Sequence, residues 1–181
     1  DPAEVPGAVA EAFAQATGGR PGPSVVAIPW DVLTRKASMP PVELEPTRAH
    51  GADDDAVARA AQALAGARNP MIMVGSGARH AREGVLALAE TLQAPVVSLR
   101  GGRGIVPDDH PLGFSSAAGF ERWADTDVLL AVGTRQELVW FRWPDTPEGL
   151  VTVNVDIDPA QQERLEPTVG LTGDSRLVGD Q

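Results

Sequence analysis

Met71-Ile72-Met73-Val74-Gly75-Ser76-Gly77, followed by a helical stretch from Arg79 to Gln93 and then by Pro95-Val96-Val97-Ser98, is the segment on which the fold turns. Met71 to Val74 is apolar, of strand length and closed by glycines, whereas Val85, Leu86, Ala89 and Leu92 recur at the spacing of one helix face. The second apolar run begins directly after that helix. Two strands separated by a helix form the unit that makes parallel pairs, because a parallel connection has to cross back over the sheet.

Toward the C-terminus the alternation continues. Apolar runs at Asp127 to Val132, Leu150 to Val155 and Thr168 to Leu171 are separated by helical stretches, and Asp174 or Ser175 caps a last helix opening at Gly173-Asp174-Ser175-Arg176-Leu177. The runs are predominantly apolar, the mark of strands buried on both faces. The expectation is a three-layer α/β/α domain with a mostly parallel, Rossmann-like sheet of about six strands, like the FAD/NAD-binding domains.

Toward the N-terminus the pattern changes. Val5, Ala8, Val9, Ala12, Phe13 and Ala16 predict a short amphipathic helix ended by Gly18-Gly19, and Ser24 to Ile28 predicts a strand closed by Pro29. One helix and one strand cannot bury a core alone, so this segment packs on something else or belongs to something larger. From Thr34 to Asp53 the chain is rich in charge and proline, with Pro40, Pro41 and Pro46, and reads as a linker. Asp53, Asp54 or Asp55 then caps a helix with Val57, Ala60, Ala61, Leu64 and Ala65 on one face. The expected organisation is a tail over 1–33, a linker over 34–53 and a domain over 54–181.

Composition removes several function classes. With no cysteine among 181 residues there is no disulfide, thiol nucleophile or cysteine-ligated zinc. The formal net charge of -10 argues against non-specific nucleic-acid binding, which requires a basic face. The apolar runs are too short to span a bilayer and no signal peptide is visible, so the expected location is cytoplasmic, with no membrane partner. His50, His80 and His110 are scattered and show no metal-ligand spacing. Ser76 lacks the surroundings of a nucleophile elbow. Trp123, Trp140, Phe141 and Trp143 read as core or interface fillers, with the 140–143 cluster a contact surface.

In an open parallel sheet, ligands bind beyond the carboxyl ends of the strands, and here those ends are rich in glycine. The first core strand runs into Gly75-Ser76-Gly77, the second into Arg100-Gly101-Gly102-Arg103-Gly104, and the third into Gly133-Thr134-Arg135. Glycine admits a close backbone approach, and the N–H groups of a following helix attract anions. The fourth strand ends in Asp156-Ile157-Asp158-Pro159, where a carboxylate can accept ribose hydroxyls. Each motif has a plainer reading. Gly75-Ser76-Gly77 lacks the third glycine of the dinucleotide fingerprint and serves equally as a turn, the arginines serve as solvated surface groups, and Asp158 before Pro159 serves as a helix cap.

The order of these motifs resembles one family. Gly22-Pro23-Ser24-Val25-Val26-Ala27-Ile28-Pro29-Trp30-Asp31-Val32 is similar to the closing strand of the pyrimidine-binding domain of thiamine-diphosphate enzymes. Asn69-Pro70 before Val74-Gly75-Ser76-Gly77-Ala78, then Ala94-Pro95-Val96-Val97, Gly104-Ile105-Val106-Pro107 and His110-Pro111-Leu112 follow in the family's order. Ala124-Asp125 with Val128 to Arg135, Val153 to Pro159 and Gly173-Asp174 complete the resemblance to the central domain of acetolactate synthase and benzoylformate decarboxylase-like enzymes.

The resemblance implies a parent enzyme that uses thiamine diphosphate and Mg2+ as a transferase or lyase on 2-keto acids, assembled as a homodimer or homotetramer. The partners of this chain would be the parent's pyrimidine-binding and diphosphate-binding domains. It implies no catalytic and no metal-binding residue here, since the glutamate that activates the cofactor lies earlier in such enzymes and the Gly-Asp-Gly to Asn motif lies later. It further implies that the central domain holds FAD or ADP, or is vestigial. Carried over by position, the nucleotide contacts are Gly75, Ser76, Gly77, Ser98, Leu99, Arg100, Gly101, Gly133, Thr134, Arg135, Asp156, Ile157 and Asp174. Acetolactate synthases follow their glycine-x-arginine with Phe-Asp, where this chain has Gln136-Glu137, a departure that bears on FAD in particular. The alternative is a stand-alone adenine-nucleotide or flavin module of the electron-transfer-flavoprotein type; a sirtuin-like deacylase is disfavoured by the missing zinc cysteines.

Overall fold

The computed structural model describes residues 1–39, 41–44, 48–143 and 145–181, with Trp140 described by its backbone alone. The linker prolines Pro40 and Pro46 and the Trp140 side chain lie outside the described residues. The chain divides into two compact units, Asp1–Ala49 and His50–Gln181.

In the first unit, helix α1 runs over Val5–Thr17 and a single-turn helix α2 over Trp30–Leu33. The apolar face of α1 stays open, with Phe13 55% exposed. The strand expected at Ser24 to Ile28 is not formed. A strand exists only through a neighbour that takes its N–H and C=O groups. Here the stretch is fixed instead by the Ser24 hydroxyl, which donates to the Ala12 carbonyl at 2.6 Å, and Val25 is 88% exposed.

The second unit is built on six strands: β1 (Pro70–Val74), β2 (Val96–Ser98), β3 (Gly113–Phe114), β4 (Val128–Val132), β5 (Val151–Asp156) and β6 (Val169–Thr172). Every pairing is parallel and the spatial order is β3-β2-β1-β4-β5-β6. The sixth strand is Gly113–Phe114, which no apolar run announces because it is only two residues long. Around the sheet lie α3 (Asp54–Ala65), α4 (Arg82–Leu92), α5 (Ser116–Trp123), α6 (Glu137–Arg142), α7 (Pro159–Leu165) and α8 (Ser175–Asp180).

Strand periodicity sorts the side chains into two cores. Ile72, Val74, Leu130, Val132, Val153 and Val155 face Ala56, Ala60 and Leu64 of α3, Val85 and Ala89 of α4, and Val178 of α8. Met71, Met73, Val97 and Leu129 face Trp123 and Trp143, whose rings pack 5.2 Å apart, centroid to centroid. Two of the expected aromatic fillers are therefore core residues, whereas Phe141 is 83% exposed.

Helix ends follow local chemistry. Asp53 accepts the Ala56 N–H at 3.0 Å, and Asp54 and Asp55 add negative charge to the first turn of α3. Helix α4 starts three residues later than Arg79, because Ser76–Ala78 form a tight 3-10 turn first, and it stops at Gln93, which takes the left-handed conformation at φ 52°. Asp174 caps α8, accepting the N–H groups of Arg176 and Leu177. Among the described residues, no helix is long and apolar enough to cross a membrane.

Candidate functional site at the carboxyl edge of the sheet

From β1 the chain builds outward through β2 to β3 on one side and then crosses back to place β4, β5 and β6 on the other, so the edge between the ends of β1 and β4 is the topological switch point where ligands enter open sheets. Gly75, Ser76 and Gly77 follow β1 and Gly133, Thr134 and Arg135 follow β4, so six of the expected residues meet there. Ser98, Leu99, Arg100 and Gly101 lie one strand to one side; Asp156, Ile157 and Asp174 lie one and two strands to the other.

At this edge the sheet continues one rung beyond its strands. Leu99 N–H donates to the Val74 carbonyl at 3.0 Å, Gly75 N–H to Val132 at 3.0 Å, Gly133 N–H to Val155 at 2.8 Å, and Gly173 N–H to Asp156 at 3.0 Å. A second rung joins the two glycine loops, from Gly77 N–H to the Gly133 carbonyl at 3.0 Å. The Ser175 hydroxyl, at the start of α8, donates to the Gly77 carbonyl at 2.7 Å. Glycine is required by this proximity: a Cβ on Gly77 would lie 2.7 Å from the Gly133 Cα, and one on Gly101 2.8 Å from the Ser76 Cβ. Gly133 also takes a positive φ of 57°.

The polar side chains around the edge are engaged in different ways. Thr134 is buried and its hydroxyl accepts the Gln136 N–H at 3.2 Å. Asp156 is 8% exposed and accepts the Asp158 N–H at 3.0 Å, while Asp158 in turn caps α7. Asp174 caps α8, and its own N–H donates to the His50 carbonyl. Arg135 is exposed and sits 3.3 Å from the Glu137 carboxylate. Ser98 is 7% exposed, and its hydroxyl has no hydrogen-bond partner among the described residues.

Behind the edge runs a network that the sequence reading did not anticipate. Gln136, buried and left-handed at φ 54°, donates from Nε2 to Oδ1 of Asn154 at 3.1 Å. Asn154 is 0% exposed in the middle of β5 and donates to Gln162 Oε1 at 3.0 Å, and Gln162 Nε2 contacts the carbonyls of Asn154 and Leu171. Arg164 of α7 donates to the Arg135 carbonyl at 2.6 Å. The available signal was the asparagine inside Val151-Thr-Val-Asn-Val-Asp156, since a polar residue in a strand buried on both faces needs a built partner.

At the opposite end of the sheet, Asp127 accepts the N–H of Arg68 at 2.7 Å and of Asn69 at 2.9 Å. Burial opposes the charged form, but these backbone donors outweigh it and hold the carboxyl below its ordinary range. A cavity of about 850 Å³ opens on one face of the sheet between α3, α4 and α8, lined by Leu64, Leu88, Leu130 and Val153 among others; none of the thirteen expected residues lines it. No cluster of three or more His, Cys, Asp or Glu side chains that could hold a metal ion occurs among the described residues.

Residues 57–181 match the family model described as "Thiamine pyrophosphate enzyme, central domain". The chain belongs to that family. It is 36% identical to "Probable 2-ketoarginine decarboxylase AruI" of Pseudomonas aeruginosa, over 97% of this chain and 33% of that protein. It is also 36% identical to "Acetolactate synthase isozyme 2 large subunit" of Escherichia coli, over 94% of this chain and 33% of the relative. The crystal structure of benzoylformate decarboxylase from Polynucleobacter necessarius superposes with a TM-score of 0.79 at 28% identity, covering 99% of this chain and 36% of the solved one. The chain thus spans about a third of the length of the curated relatives it matches. The acetolactate-synthase-like central domain and its Rossmann-like sheet stand as the sequence indicated.

Proposed function

We propose that this chain is the non-catalytic centre of a thiamine-diphosphate-dependent enzyme that decarboxylates or joins 2-keto acids, with residues 1–33 as the tail of a pyrimidine-binding domain, 34–53 as linker and 54–181 as the central domain. The family match over 57–181 carries this reading, supported by relatives named as decarboxylase and synthase. On this reading thiamine diphosphate and Mg2+ are held by the parent's other domains, and the parent is a homodimer or homotetramer. Calorimetry with the cofactor and Mg2+ tests it. The full-length parent binds the cofactor in a Mg2+-dependent way and consumes a 2-keto acid, while the 181-residue chain does neither; cofactor binding by the chain alone, or none by the parent, overturns it.

The narrower part of the proposal is that the strand-end edge takes an adenine nucleotide, ADP or FAD. Its support is the gathering of Gly75 to Gly77 and Gly133 to Arg135 at the switch point, with exposed Arg100 and Arg135 as phosphate partners and the buried Ser98 hydroxyl open to a new one. Titration with ADP and with FAD decides it. If neither binds at millimolar concentration, the edge is vestigial and the domain's role is architectural.

A further inference from the structure

Phosphate recognition by a glycine-rich strand end depends on main-chain N–H groups that have no other partner. At this edge the N–H groups of Gly75, Gly77 and Gly133 already serve the neighbouring loop or strand, and the Gly77 carbonyl is held by Ser175. The two loops touch where a phosphate would have to enter, because Gly77 and Gly133 have no Cβ between their backbones. Seating an anion there means breaking the Gly77 to Gly133 bond and parting the loops by roughly 3 Å, the span of a new hydrogen bond. From these observations we infer that the glycine loops after β1 and β4 are a backbone latch that closes the switch-point crevice. An adenine nucleotide that meets this edge lies outside the latch and is held by side chains, not by the amides of Gly75, Gly77 or Gly133.

The inference uses the nucleotide reading only to say where the phosphates do not go, and its test separates the two. In amide-resolved NMR of the 181-residue chain without ligand, Gly75, Gly77 and Gly133 exchange slowly with solvent. Adding ADP to millimolar concentration leaves those three amides unshifted, whereas binding outside the latch moves the Arg100 or Arg135 side-chain signals. Protected glycines with no response anywhere leave the latch standing and remove the nucleotide proposal. Free exchange at the three glycines in the ligand-free chain, or saturable shifts at Gly75 and Gly77 with ADP, overturns the latch. A thermal melt adds a second reading: Gly77→Ala lowers the midpoint by about 5 °C or more without ligand, because the added Cβ meets the Gly133 backbone. An unchanged midpoint also overturns the latch.

Discussion

The two ends of the sheet are closed by different chemistry. At the carboxyl end, main-chain groups of one loop bond the main chain of the next, and Gly75, Gly77 and Gly133 allow the contact by having no side chain. At the amino end, one carboxylate, Asp127, gathers the N–H groups of Arg68 and Asn69 as the chain enters β1. A main-chain closure is blind to pH and salt but intolerant of any added atom. A carboxylate closure tolerates substitution but answers to protonation. Glycines at a strand end therefore do not by themselves open a crevice between the loops: the feature that admits a ligand's phosphate also admits a neighbouring loop.

The largest test of this contrast is Gly133→Ala. The substitution places a Cβ at φ 57° and against the backbone of Gly77 and the Ala78 nitrogen, so strain and overlap add, for a loss of about 3 to 4 kcal/mol. Denaturant unfolding measures it. A loss below about 1 kcal/mol would mean that the loops separate easily and that the closure is weak.

Next comes Asn154→Leu, which removes the side chain linking the β4 loop to α7 through the core. Gln136 Nε2 and Gln162 Oε1 then lose partners in a buried setting, an expected cost of about 2 to 3 kcal/mol. The double variant Gln136→Leu/Asn154→Leu should recover part of that loss, since it removes a stranded group as well as its partner. Strict additivity of the two single losses in unfolding measurements would show that the amides do not act as one network.

What could be read in the sequence followed the periodicities. The strands Met71 to Val74 and Asp127 to Val132 were legible because burial on both faces makes a strand continuously apolar. The start of α3 at Asp53 was legible, and so were Ala60 and Leu64 of its inward face, but the expected Ala61 and Ala65 are exposed and the buried Ala56 was missed, because a run of alanines marks a helix face only weakly. Gly113–Phe114 was not, because two residues carry no period and the pairing is imposed by Val96 and Val97 across the ladder. Ser24 to Ile28 carried a strand's composition without a neighbour, and composition does not supply one. At the strand ends, sequence order placed the loops together at the carboxyl edge, since topology fixes which strand ends meet. It could not say whether their N–H groups face a ligand or each other, because that depends on the approach of Gly77 to Gly133 across 56 residues of chain.

At the amino end, Asp127→Asn should cost about 1 kcal/mol at neutral pH, because the amide keeps one acceptor oxygen and loses the charge, in a site partly open to solvent. Its pH dependence has a definite sign. The folded-state carboxyl titrates below the unfolded one, so its contribution is present above the unfolded value and lost as pH falls through the folded value. The wild-type chain should therefore lose this increment below about pH 4, where the Asn variant should not. Unfolding free energies that stay parallel for the two proteins from neutral to acid pH would count against the carboxylate brace.

The smallest effect is expected at the residue that looks most functional in the sequence. Arg135 stands at the switch point, yet its guanidinium is exposed and pairs with Glu137 across 3.3 Å in solvent, a kind of ion pair that contributes little. What ties its loop is the Arg135 carbonyl, which accepts from Arg164 at 2.6 Å and survives any change of side chain. Arg135→Ala should therefore alter unfolding free energy by no more than about 0.5 kcal/mol, while Arg164→Ala, which removes the donor to that carbonyl and to Gln161, should cost about 1 kcal/mol. The pair sharpens the comparison between the two ends, because a closure made by main chain predicts that the exposed arginine is dispensable and the one reaching a backbone oxygen is not. Equal losses for the two variants, or a larger one at Arg135, would place the holding force of the carboxyl edge in side-chain charge after all.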